Sequence, residues 1–588
     1  MSSPSSAMVS TAGPAQNVLR RLILYVLLFA LVIITAIGIS GLLERLLSSE
    51  SVLATSAVGG LARAFAFTLI GGPLAGLLWW FVWKRLDEEA ERAAPGWGLY
   101  LAGMYTVSLV VATTGLLATA TSFIGRFEPQ WYSPLSSGLV WSGVWLWHRW
   151  MWRHTFKSPT NLDDVPAVLG TLFGLILATG AFISALSGLL DVAIRGDSSL
   201  TPGTDLWWQP VLRSLIWAIG GGLIWWWHWF RGGGHRLRTG LMNVALIVVG
   251  VFAAGLTALG GFGVVLFVLL RLAFDRSNSI TGLLEPLAPA LAAAAVGALV
   301  WRYHRTVAAE RSAETRRASL LVTSGVSLVA AASGVGVIIN ATLAAAVSPL
   351  AGSATRTLLL GGISSLVVGG PVWWQAWKPM RRPQSAEDIP PGRRVYLIVF
   401  FGISAVVALI ALLVIGYRLF EFLLGEVSEG SMLDRVRAPF GLLVAAGLVA
   451  GYHFAAWRHD RALVAAVAPR ARTIGHVTLV TGSNEEVLSQ AVSDASGAYV
   501  TVWRRADGVA APSASEAGSA APTGVDGESG VDEEARVDEE ARQAALREQV
   551  TKALEGITAG HVLLVVDREN GQRMHIDVIP VETGGAVR

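Results

Sequence analysis

Residues 211–238 read VLRSLIWAIGGGLIWWWHWFRGGGHRLR. An apolar run closes on Trp225-Trp226-Trp227-His228-Trp229-Phe230 and gives way to Arg231, Arg236 and Arg238. The run reaches the ~20 residues a helix needs to cross ~30 Å of hydrocarbon. Trp settles at headgroup depth because its ring is apolar and its N–H can hydrogen-bond. The stretch therefore predicts a membrane-spanning helix that ends at a surface and continues into a basic loop.

The same ending recurs along the chain. The exits read Trp79-Trp80-Phe81, Leu146-Trp147-His148, Trp226-Trp227-His228, Arg302-Tyr303-His304, Trp373-Trp374-Gln375 and Gly451-Tyr452-His453. An aromatic holds the middle place each time, and His follows in four cases. A second register, Gly-x-x-x-Trp, runs through Gly76/Trp80, Gly143/Trp147, Gly222/Trp226, Gly297/Trp301 and Gly370/Trp374. A longer apolar segment precedes each exit helix. The pairs span 20–86, 96–154, 163–231, 236–304, 317–380 and 394–460. The fold class predicted is an all-α polytopic membrane protein, with about twelve transmembrane helices as six direct helix-pair repeats over 20–460, plus a small C-terminal α/β cytoplasmic domain. Helices satisfy their own backbone groups where lipid cannot, and the alternating ten-residue runs of a transmembrane barrel are absent.

Composition agrees. The 588 residues are 53% hydrophobic and 15% charged, against about 25% charged in an ordinary soluble chain. The count of zero Cys excludes disulfides, thiolate metal sites and thiol nucleophiles. A formal charge of +3 gives no reason to expect a nucleic-acid partner. The stretch 1–19 is rich in Ser, Ala and Pro and reads as a disordered N-terminus, and the first apolar run reads as a retained span, not a cleaved signal.

Cations set the expected orientation. Loops after the second helix of each pair hold Lys84, Arg85, Arg149, Arg153, Lys157, Arg231, Arg236, Arg238, Arg302, Arg305, Lys378 and Arg381, among others. Loops inside the pairs hold fewer, chiefly Arg63, Arg126, Arg195, Arg213, Arg276, Arg356, Arg435 and Arg437. The positive-inside rule then puts both termini in the cytoplasm of a plasma-membrane protein.

Two readings of the exits stand side by side. In one they form an aromatic belt, with His and Arg facing water or phosphate. In the other His148, His228, His304 and His453, with Gln375, form a polar layer at the cytoplasmic end. Such a layer would titrate or hold a metal or haem, although helix ends beside Arg are poor haem sites, and no cofactor is expected. Asp and Glu avoid the middle of every span. Buried carboxylates usually mark proton and ion pathways. Asn243 and Asn340, beside Gly-rich segments, are the mid-span polar candidates, with Tyr105, Thr113 and Thr114 weaker ones. Either Asn would line an interrupted helix at a solute site or bond between helices.

The cytoplasmic domain is placed at 473–588. Residues Gly475 to Val480 read as a strand, Asn484–Ala495 as a helix, and Ala498–Trp503 as a second strand. A disordered insert covers about 506–530, an acidic tandem at Val531 and Val537 opens a charged helix, and a hairpin turns at Asn570-Gly571. Thr481-Gly482-Ser483-Asn484 lacks the Lys and glycines of a phosphate loop and reads as a helix cap.

The tandem helix pairs with Trp/His exits over 20–460 resemble a bacterial multi-pass membrane family known as a domain of unknown function occurring in repeated copies. The resemblance implies membrane residence and brings no catalytic motif. Without a metalloprotease helix, a nucleophile elbow or paired carboxylates in a span, the chain reads as a non-enzymatic membrane scaffold or sensor carrying a cytoplasmic domain. The alternative is a transporter or permease for a small solute. The lipid bilayer is its expected partner, and a protein partner for the C-terminal domain is open, as is the oligomeric state.

Overall fold

The computed structural model describes residues 14–48, 55–125, 131–196, 206–275, 278–347, 353–381, 383, 389–425, 431–467, 474–482, 485–504 and, in part, 545–581. The insert at 506–530, the acidic tandem, the Asn570-Gly571 turn and most of 1–19 lie outside them. The first helix already begins at Pro14, inside the stretch read as disordered. The chain divides into two compact bodies, Met1–His459 and Asp460–Arg588.

Among the described residues of the first body, twelve long helices stand in six pairs. They are α1 (Pro14–Leu47) with α2 (Thr55–Ala66, the π-helical turn Phe67–Gly71, then Gly72–Arg85), and α3 (Pro95–Ser122) with α4 (Tyr132–Trp152). Next come α5 (Val165–Arg195) with α6 (Trp208–Trp226, ending in the π-turn Trp227–Arg231), and α7 (Gly240–Ala245, the π-turn Leu246–Ala253, then Ala254–Phe274) with α8 (Leu287–Arg311). The last are α9 (Ala313–Val347) with α10 (Ser353–Trp377), and α11 (Pro391–Leu423) with α12 (Met432–Val467). Ten of these are long and apolar enough to cross a membrane. The other two, α4 and α6, have 21 and 19 residues and are dense in Trp, which lowers their mean hydropathy without shortening them. Pro at the first turns of α3, α5 and α11 starts those helices where a missing N–H costs nothing.

The pairs group two by two. One core joins α1–α4 through Tyr25, Leu28, Val82, Trp97, Tyr100 and Met151. A second joins α5–α8 through Val168, Trp229, Met242, Leu246 and Ala308. A third joins α9–α12 through Leu321, Trp377, Tyr396, Leu397 and Trp457. Three four-helix units result, each with its aromatic core at the end where the return helices finish. Away from that end the helices meet through small residues, since lipid removes the hydrophobic drive to associate and leaves close packing in its place. Gly115 of α3 faces Gly138 of α4 so closely that a Cβ on Gly115 would fall 2.8 Å from the Gly138 backbone. Gly261 of α7 meets Ala290 and Ala294 of α8 in the same way. The outward faces are apolar: along α11, Ile398, Ile403, Leu409, Leu413 and Tyr417 are all exposed, as a lipid-facing helix requires.

The second body is a two-layer α/β sandwich. Strands β1 (His476–Thr481), β2 (Tyr499–Arg504), β3 (His561–Glu569) and β4 (Arg573–Val581) lie in the order β2-β1-β3-β4. The first three are parallel and β4 is antiparallel to β3. A parallel β1–β2 pair needs a crossover, supplied by α13 (Glu485–Ser496). Leu488, Ala491 and Val492, three and four residues apart, fall on one face of that helix and are buried with Val477, Leu479 and Leu564 of the sheet.

Replacing Gly115 by Leu forces α3 and α4 apart and should cost roughly 1–3 kcal/mol, the usual toll of overpacking. Gly76→Ala, whose Cβ would meet nothing within 4 Å, should be neutral or stabilising by up to about 1 kcal/mol. Thermal melts of the two variants in lipid nanodiscs check the contrast.

Candidate functional site

Each of the four exit histidines reaches back along its own helix. Nδ1 lies 2.7 Å from the Val144 carbonyl in His148, 2.8 Å from Ile224 in His228, 2.8 Å from Val300 in His304 and 2.7 Å from Val449 in His453. A carbonyl only accepts, so Nδ1 carries the proton and donates, and Nε2 of the neutral ring is the bare acceptor. The back-bond lays the imidazole against its helix and toward the core. The rings are 2%, 3%, 3% and 0% exposed in chain order. The expectation that these histidines face water or phosphate is therefore corrected: they are interior groups.

Gln375 is exposed and does not join them. In α2 and α10 the buried seat next to the second core Trp falls on Val82 and Ala376, one residue past the place held by Phe81 and Gln375 in the sequence overlay. A different spacing organises the first return helix of each unit: Trp79-Trp80-x-x-Trp83, Trp225-Trp226-x-x-Trp229 and Trp373-Trp374-x-x-Trp377. Residues four apart share a helix face, so the first and last Trp both turn inward. The second return helices carry Trp147-His148, Tyr303-His304 and Tyr452-His453. This alternation was present in the sequence and hidden by a six-fold overlay that forced both kinds of helix into one register.

The two kinds of exit lock together. Trp229 Nε1 donates to the Tyr303 hydroxyl at 2.7 Å, and Trp377 Nε1 to that of Tyr452 at 2.6 Å. In the first unit Trp147 replaces the Tyr and packs edge-on against Trp79, centroids 5.7 Å apart. Cations cover the rim: Lys84 lies 3.9 Å over Trp80, Arg149 4.9 Å over Trp227 and Arg381 4.8 Å over Trp374, a geometry in which ring quadrupole and charge attract. Lys157 is drawn inside, where Nζ donates to the Trp83 carbonyl and pairs with Asp87, while the Trp97 indole donates to the Lys157 carbonyl.

The histidines differ in what meets Nε2. The Tyr100 hydroxyl donates to His148 at 3.1 Å, within the first unit. The Tyr105 hydroxyl donates to His228 at 2.8 Å, from the first unit to the second. His304 packs on Gly250, where a Cβ would come within 2.6 Å of its ring. His453 is ringed by Trp377, Tyr396, Phe400 and Tyr452, and its Nε2 has no hydrogen-bond partner among the described residues. His148, His304 and His453 belong to separate cores and His228 to a contact between units, so the four do not form one ring. Among the described residues no three His, Asp or Glu side chains converge to hold a metal.

Asn243 and Asn340 are not mid-span groups facing a cavity. Asn243 sits in the first turn of α7, where its Oδ1 accepts from Arg311 at 2.9 Å. Asn340 lies toward the far end of α9 and accepts from Arg437 at 3.1 Å. Tyr105 is spent on His228, and Thr114 bonds the Val110 carbonyl of its own helix.

A groove opens at the same place in each four-helix unit, between the first helix and the two return helices. The volumes are about 490, 480 and 340 Å³ in chain order. Each ends on a matching triad: Trp79, Trp147 and His148; Trp225, Tyr303 and His304; Trp373, Tyr452 and His453. The remaining walls are almost wholly Leu, Val, Ile, Ala and Gly.

The model of a domain of unknown function (DUF5671) matches this chain twice, at residues 21–147 and 317–448. The matches run from α1 into α4 and from α9 into α12, the first and third four-helix units. No curated protein and no solved structure matches the chain.

Tyr100→Phe removes the donor to His148 and leaves a buried acceptor bare. A loss of about 1–3 kcal/mol is expected, read as a lower melting temperature. Tyr417→Phe, on an exposed tyrosine of α11, should change stability by less than about 0.5 kcal/mol.

Proposed function

We propose that the protein is a non-enzymatic scaffold or sensor of the plasma membrane, with both termini in the cytoplasm and a helix array that carries the C-terminal α/β domain to a protein partner. The observation that supports it is the character of the cavities. A solute path needs polar groups near the membrane centre, whereas the three grooves are apolar and each belongs to a single four-helix unit. A fourth cavity of about 550 Å³, between α7, α9 and α10, has only Thr357, Ser364 and Ser365 as polar side chains in its lining, and the two serines are spent on the Gly263 and Ala330 carbonyls. The two Asn side chains that would have served such a path hold arginines instead.

The array itself is read as three copies of one unit, with residues 165–311 a diverged copy between the two that match the family model. Its Trp225-Trp226-x-x-Trp229 and Tyr303-His304 repeat the signature of the flanking units, and its groove stands at the matching position.

Orientation gains support from how the charges are held. At the ends remote from the exits, arginines lie beside carboxylates on their own helix. Arg195 pairs with Asp191 at 2.6 Å, Arg271 with Asp275 at 3.0 Å and Arg418 with Glu421 at 2.8 Å. At the exits Lys84, Arg149, Arg305 and Arg381 lie over Trp rings, while Arg21 and Lys157 at the same end pair with Glu91 and Asp87. The cations held over Trp gather at the exits, the end that the positive-inside rule keeps in the cytoplasm.

The absence of Cys makes topology directly testable. Thr155→Cys, in the loop after α4, should react with an impermeant maleimide only after cells are permeabilised. Asn278→Cys, between α7 and α8, should react in intact cells. The reverse pattern inverts the orientation.

Purified protein in proteoliposomes should pass amino acids, sugars and inorganic ions no faster than empty vesicles. Saturable uptake of any of these, lost in Asn243→Ala or Asn340→Ala, would establish a transporter and end the scaffold reading.

A further inference from the structure

The first and third units solve one chemical problem differently. α3 opens Pro95-Gly96 and places Tyr100 four residues on; α11 opens Pro391-Gly392 and places Tyr396 at the same spacing. The two tyrosines lie beside equivalent histidines, ring centroids 5.7 Å apart for Tyr100 and His148 and 5.6 Å for Tyr396 and His453. The Tyr100 hydroxyl donates a hydrogen bond to the histidine. Tyr396 bonds Ser324 of α9 at 2.9 Å instead. At the same spacing before its tyrosine, α1 carries Leu28, fully buried and unable to bond a hydroxyl. Ser324 therefore draws Tyr396 away, and among the described residues nothing donates to His453 Nε2 at the end of an apolar groove.

That atom is costly as it stands. A buried acceptor with no donor loses its hydration and gains nothing in return. His453 lines the groove with its Nε2 closed off from solvent, so an occupant reaches that atom only as the lining side chains part. A water would need two to four polar partners. Beside His453 the lining offers the Trp373 indole N–H, which has no partner among the described residues, and the Tyr452 hydroxyl, which already accepts from Trp377, so a group that both donates and accepts suits the groove better than an apolar one. We propose that the groove of the third unit binds the chain of a neutral long-chain alcohol from the bilayer, whose hydroxyl donates to His453 Nε2.

The chemistry excludes neighbouring classes. An ester, a ketone or an ionised carboxylate has no proton to give. An ammonium head could donate, but none of the residues lining the groove is acidic to offset its charge. An alkane fills the groove and leaves Nε2 bare. The walls, Leu328, Val335, Leu366, Leu448 and Val449 among them, suit a hydrocarbon chain. The first unit supplies the precedent within this protein: the equivalent imidazole already takes a hydroxyl, its own Tyr100.

The test titrates dodecan-1-ol, dodecane and dodecanoate into full-length protein in lipid nanodiscs and follows the melting temperature. Dodecan-1-ol should give a saturable rise that dodecane and dodecanoate do not reproduce; a ligand that binds only the folded state raises its stability in this way. His453→Phe should weaken the apparent affinity for the alcohol by about tenfold or more, the scale of one lost hydrogen bond to a buried acceptor. Gly370→Leu fills the groove from a position whose Cβ would meet only Leu366, at 4.0 Å, and should abolish the response while the protein still folds. Ser324→Ala frees Tyr396 to bond His453 and should also weaken it. The proposal is overturned if dodecane matches dodecan-1-ol, if no saturable rise occurs, or if Gly370→Leu and His453→Phe titrate like the wild type.

Discussion

A polar group inside a membrane has no water to turn to, and the rest of the helix array follows from that. A polar side chain of a span is stabilised by bonding to its own helix or to another side chain. Serines and threonines take the nearest carbonyl, as Thr35 does from Leu31, Ser108 from Met104 and Thr171 from Ala167. The histidines do the same with Nδ1. An imidazole has a second nitrogen, however, and in His148 and His228 that one is met from across the core. The need for a donor at Nε2 ties α4 to α3 through Tyr100 and α6 to α3 through Tyr105.

The aromatic knots follow from the same demand. A Trp indole donates and a Tyr hydroxyl accepts, so Trp229–Tyr303 and Trp377–Tyr452 clip the two return helices of a unit together. Where Trp147 stands in place of Tyr, ring packing substitutes for the bond. Half-buried arginines are treated likewise: Arg311 gathers the Asn243 side chain and the Leu237 carbonyl, and Arg437 takes Asn340. Small residues then let the helices approach closely enough for these contacts to form.

Much of the architecture was legible in the chain. Apolar runs of spanning length, aromatic exits and basic loops identify the helix pairs, because membrane thickness and interfacial chemistry act on each helix separately. The strands and helix of the second body were equally plain, since β1 alternates buried and half-buried residues from His476 to Thr481. The Trp-Trp-x-x-Trp spacing could have been read too, had first and second return helices been compared among themselves. The roles of Asn243 and Asn340 could not, because each depends on an arginine far along the chain: Arg311 and Arg437 approach them only through tertiary packing.

The sequence by itself determined that helices cross in pairs, where they end, and which residues gather at those ends, because local hydropathy and interfacial preference depend only on near neighbours. The tertiary structure alone decided that the exit histidines point inward, that the pairs combine into three cores, and that Tyr100 and Tyr396 choose different partners. That last difference turns on one atom from another helix, the Ser324 hydroxyl, which α9 supplies and α1, with Leu28, does not.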